Sequence, residues 1–156
     1  HRYQLNQEEL RPYFPLPRVR AGLFDIAGRV FGLAFEPVSG VDTWHPDVEF
    51  HAVKDADGEP LGFFYLDLYA RAGKRSGAWM DDCLPRWQQG PATQLPVAYL
   101  NCNFTPPQDG RPSLLTHDEM TTLFHEFGHG LHHLLTIIGR PAVAGINGVP
   151  WDAVEL

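Results

Sequence analysis

Apolar residues recur at helical spacing in two stretches of the chain and alternate at period two between them. Over residues 18–31, Val19, Leu23, Ile26, Ala27, Val30 and Phe31 fall three or four apart, which predicts an amphipathic helix with a core-packing face. From Val41 the period drops to two. Residues 48–53 and 61–69 flank Asp57-Gly58, a dipeptide suited to a tight hairpin turn, and predict two paired strands. A loop containing glycine and arginine follows, then a short third strand over 77–80. Residues 88–92 (QQGPA) read as a loop, and 96–104 as a fourth strand. The second helical pattern covers 116–139. There Met120, Leu123, Phe124, Phe127, Leu131 and Leu134 form a broad apolar stripe that expects partner helices. Thr116 and Glu119 stand at capping-box spacing, Asp118 suits the positive end of the helix dipole, and Gly139 marks a stop before Pro141. Four segments result: a proline-punctuated connector and helix over 1–40, a small antiparallel sheet over 41–104, the long helix, and the start of another helix over 150–156. Tyr13, Phe14 and Leu16 of the connector can dock on a core. The fold class is α+β, with a small antiparallel β-sheet just ahead of the long helix.

Composition narrows the functions open to such a fold. At 156 residues and 44% hydrophobic, the chain can make one ordinary domain with a real core. A net charge of −7 argues against nucleic acid or an anionic membrane as partner. No apolar run reaches spanning length, and no basic-then-apolar leader opens the chain. Cys83 and Cys102 lack metal-type spacing and fit reduced thiols in a cytoplasmic protein.

The long helix carries the chemistry. His125-Glu126-Phe127-Gly128-His129 is an HExxH run, and positions four apart on a helix share a face, so two imidazoles can converge on one ion. Zinc suits neutral histidine nitrogens in a tetrahedral shell. Glu126 would flank the ion and take a proton from water there. A solvated histidine-rich helix face is the plainer account of the same residues. His132 lies about 10 Å further along the axis, too far to share the ion with His125. His129 with His132 is a rival pair, but it lacks a glutamate placed as Glu126 is. His132 and His133 are read as supporting or packing residues. For a third ligand Glu155 leads and Asp152 is the rival, since Asp152 already has a capping role near the helix start that Pro150 suggests. Two histidines, a carboxylate and an open position make a catalytic rather than a structural shell. Gly128 and Gly130 mark either close approach of a substrate or close helix packing. A sheet edge beside this helix can hold an extended peptide, and Gly77 and Ala78 would permit close approach or equally mark a bend. Asp67, Asp81, Asp82 and His45 have ordinary solvation or turn explanations, and Lys74 and Arg75 read as a solvated loop.

HEFGHGLHHLL, GINGVPWDAVEL and the upstream GFFYLDLYARAGKRSGAWMDDC resemble the thimet oligopeptidase family of zinc peptidases, its bacterial branch most closely. The likeness runs from RYQLNQEELRPYFPL onward. It implies a segment of a mainly α-helical, zincin-like metallopeptidase. Zinc would be held by residues matching His125, His129 and Glu155, with the residue matching Glu126 as general base. The expected activity is that of an oligopeptidase of metalloendopeptidase type, acting on short peptides with the remainder of the parent catalytic domain as partner. A later tyrosine- and glycine-rich segment stabilises the transition state in that family and does not follow here. A truncated, inactive zinc-binding fragment or interaction module is therefore the alternative, and an amide deformylase a weaker one. Substitution of Glu126 separates a catalyst from a binding module.

Overall fold

The computed structural model describes residues 6–155. Residues 1–5 of the expected connector and residue 156 of the expected last helix lie outside the described residues. A short helix α1 (Gln7–Leu10) and a 3-10 turn (Arg11–Tyr13) occupy the connector, and α2 (Leu16–Phe31) follows. Strands β1 (Ala34–Pro37), β2 (Glu49–Lys54), β3 (Pro60–Tyr69), β4 (Trp79–Leu84), β5 (Trp87–Gln89), β6 (Ala92–Gln94) and β7 (Val97–Phe104) precede α3 (His117–Leu134). The main chain then makes a second 3-10 turn at Pro141–Val143.

Helix α2 starts behind Pro15 and ends at Gly32, whose φ of 69° turns the chain back so that its N–H reaches Gly28 O at 2.8 Å. Its buried stripe is Leu16, Val19, Leu23 and Ala27, while Ile26, Val30 and Phe31 stay 50%, 66% and 56% exposed. The expected face is thus buried as far as Ala27, with Ile26 at its margin, and left exposed over the last turn. The β2–β3 hairpin forms around Gly58 (φ 84°), and Asp55 Oδ1 accepts N–H bonds from Asp57 at 3.0 Å and Glu59 at 2.9 Å.

The main sheet departs from the expected antiparallel one. Its order is β1-β2-β3-β7-β4, and β3 pairs with β7 in parallel. Sequence neighbours β3 and β4 do not pair. Strand β7 enters between them, running parallel to β3 and antiparallel to β4. Strand β1 also lies before the expected sheet and adds to β2. QQGPA is not a plain loop either: β5 and β6 form a small hairpin across Gly90, φ 61°.

Both long helices pack on one face of this sheet. Phe127 of α3 meets Phe24 of α2, Phe35 of β1 and Phe64 of β3 at ring separations of 5.7, 5.5 and 5.9 Å. Leu123, Phe127, Leu131 and Leu134 are buried, so the apolar stripe of α3 is covered by the sheet and by α2, where partner helices were expected. Helix α3 begins with the expected capping box at Thr116 and Glu119 but ends at Leu134, short of Gly139. Gly139 serves another purpose: its O accepts Gln88 N–H at 2.9 Å, and a Cβ there would meet Gln88 Cβ at 2.5 Å. Residues 151–155 make turns, with Ala153 N–H bonded to Pro150 O at 2.9 Å, in place of the expected helix start. No helix among the described residues is long and apolar enough to cross a membrane.

Candidate metal centre

Phe127 lies two residues from both His125 and His129, so at about 100° per residue it points away from them. Burying Phe127 therefore turns both histidines outward, with side chains 48% and 16% exposed. Their Nε2 atoms lie 3.0 Å apart. Glu155 Oε2 stands 3.0 Å from His125 Nε2 and 3.5 Å from His129 Nε2. Ligand distances of about 2.0–2.1 Å in a tetrahedral shell put neighbouring ligand atoms about 3.3 Å apart. The three atoms thus form a triangle of the size a zinc ion needs, with the remaining side open. Among the described residues this is the one group of three His, Cys, Asp or Glu side chains that converges in this way. Asp152 and His132 are exposed and lie outside it. His133 is fully buried, with Nε2 against Leu84 O at 3.1 Å, and is a packing residue.

Glu126 is half-buried next to the pair. Burial pushes its carboxyl above the ordinary range; His125, His129 and the Met80 backbone pull it down, and Glu155 adds to the upward push. A group displaced upward by burial is a better proton acceptor than a free carboxylate. These residues open on a cavity of about 380 Å³, walled by Ala78–Asp81 of the β4 region and by Ile146, Val149 and Val154. Strand β4 is the sheet edge here, which places main-chain groups beside the three-residue cluster. Gly130 abuts the Leu100 side chain, 3.2 Å from where a Cβ would stand, so it serves helix–sheet packing. Gly128 has nothing within 4 Å.

Lys74 corrects the solvated-loop expectation. Its side chain is 5% exposed, and Nζ donates to Asp67 Oδ1 at 2.8 Å, Asp67 O at 2.9 Å, Tyr69 O at 2.9 Å and Cys102 O at 2.6 Å. Arg71 grips the same carboxylate at 2.7 and 2.8 Å, and Trp44 Nε1 donates to it at 3.0 Å. Burial works to raise the Asp67 pKa, but these three donors outweigh it and hold it at about 2. Asn103 Nδ2 adds bonds to Arg75 O at 2.9 Å and Gly77 O at 2.6 Å. Together these bonds fix the loop that feeds β4, and so where β4 passes the histidines. One signal was present in the sequence: an aspartate within an apolar strand needs a buried partner.

Asp67 lies on the sheet face away from α3, where Trp44, Tyr65, Trp79 and Tyr99 surround a second cavity of about 290 Å³. Asp81 lines the cavity beside His125 and His129, Asp82 bonds to Asn147, and His45 pairs with Asp47 in a surface turn. Both cysteines are free, and burial pushes the Cys102 thiol up to about 12.

The sequence model of peptidase family M3 matches residues 1–156. Oligopeptidase A of Escherichia coli (strain K12) is 55% identical over 100% of this chain and 23% of its own length. The oligopeptidase A of Haemophilus influenzae is 57% identical over the same shares. A dipeptidyl carboxypeptidase of Salmonella typhimurium is 39% identical over 99% of this chain and 22% of its own length. The chain spans about 23% of the length of the first two of these relatives. Matched from end to end by the family's sequence model and by these enzymes, it belongs to peptidase family M3.

Proposed function

We propose that the chain carries the metal centre of a cytoplasmic zinc oligopeptidase, with the remainder of the parent catalytic domain completing the substrate site. The observation that carries this reading is the triangle of His125 Nε2, His129 Nε2 and Glu155 Oε2, with sides of 3.0, 3.0 and 3.5 Å. The names of the family and of its relatives support peptides as the substrate class. Zinc held there supplies Lewis acidity toward water and a carbonyl oxygen. Glu126 takes the proton of the attacking water and returns it to the leaving amine, a cycle that suits its raised pKa. The open edge of β4 holds the peptide extended by main-chain bonds, which are indifferent to side chains and suit a broad range of short sequences.

Elemental analysis tests the metal. About one zinc per chain is expected in the complete natural protein, and none after His125→Ala with His129→Ala. Stoichiometric zinc in that double variant would overturn the assignment.

A further inference from the structure

Glu155 is 64% exposed and sits on a segment without helix or strand, yet it meets both histidine rings. Something earlier in that segment must fix its path. Ala144 is fully buried. Gly145 (φ 62°) lies so close to His133 that a Cβ would stand 2.7 Å from His133 Cα. Both contacts locate the start of the segment but do not orient the residues beyond it. Asn147 does: its Nδ2 donates to Asp82 Oδ2 at 2.7 Å, within β4. Among the described residues this is the one side-chain hydrogen bond from residues 141–154 to the rest of the molecule. The acceptor is a carboxylate, which makes the bond short and strong for a single contact. Asp82 in turn sits on a strand whose start is fixed by the bonds of Lys74 and Asn103.

We propose that Asp82 and Asn147 are positioning residues, a latch between the edge strand and the metal-side segment that holds Glu155 over the two histidines. The proposal rests on the zinc reading above. Neither residue belongs to the ligand cluster, so the latch acts only through Glu155.

The test measures zinc dissociation constants by chelator competition in the complete natural protein, with melting temperature followed alongside. Losing a group that orients a metal ligand costs about 10–100-fold in affinity. Asn147→Ala and Asp82→Ala should each weaken zinc about tenfold, and together no more than either alone. The exchange Asp82→Asn with Asn147→Asp rebuilds the bond with donor and acceptor reversed and should restore affinity, which a mere folding defect would not allow. In a Glu155→Ala background, Asn147→Ala should have no further effect. Wild-type affinity in Asn147→Ala, or an added loss in the Glu155→Ala background, overturns the latch while leaving the zinc site intact. Zinc retained by His125→Ala with His129→Ala overturns the zinc reading and the latch with it.

Discussion

Asp67→Asn isolates the charge network under the sheet. The wild-type carboxylate titrates at about 2 against an ordinary 3.8, because the donors Arg71, Lys74 and Trp44 outweigh the cost of its burial. A folded-state value below the unfolded one stabilises the fold wherever the group is ionised in both states. That contribution is complete above about pH 5 and is lost as pH falls through 3.8 toward 2. A gap of this size amounts to about 2 kcal/mol. Asn at this position cannot ionise and keeps none of it. At neutral pH the variant also leaves Lys74 buried without its anion, and breaking a buried pair costs about 3–5 kcal/mol. Urea unfolding of both proteins from pH 2 to 6, followed by tryptophan fluorescence, should show the variant less stable near neutrality. The difference should then narrow by about 2 kcal/mol between pH 5 and 2. A difference that stays constant over that range would refute the assignment of the low pKa to Asp67.

On the proposed function, Glu126→Gln in the complete natural protein should keep zinc and lower peptide turnover by about 10²–10⁴-fold, read by a quenched-fluorescent peptide at equal zinc occupancy; wild-type turnover would remove Glu126 from the chemistry. Gly128→Ala should raise helix stability by about 1 kcal/mol, since nothing stands within 4 Å of the new methyl, and a lowered melting temperature would contradict this. Phe127→Ala should cost about 3–5 kcal/mol by emptying the space between Phe24, Phe35 and Phe64, as urea unfolding would report.

What the sequence made legible was local. The capping box at Thr116 and Glu119, the hairpin at Asp57-Gly58 and the one-turn spacing of His125 and His129 each lie within a few residues, so spacing alone carries them. What it hid was non-local. The acceptors of Lys74 come from β3 and β7, whose meeting no short window of sequence contains. The order of strands was hidden in the same way, and that matters to the site. Pairing strands in sequence order would leave β7 at the edge and bury β4 beside β3. Because β7 enters between them, β4 becomes the edge, and its Trp79–Asp81 stretch passes the cavity that His125, Glu126 and His129 share. Helix α3 packs on both strands, so the insertion that seats the helix also leaves β4 free on its outer side. The parallel pairing that departs from the expected sheet is therefore what gives the histidines an open strand beside them.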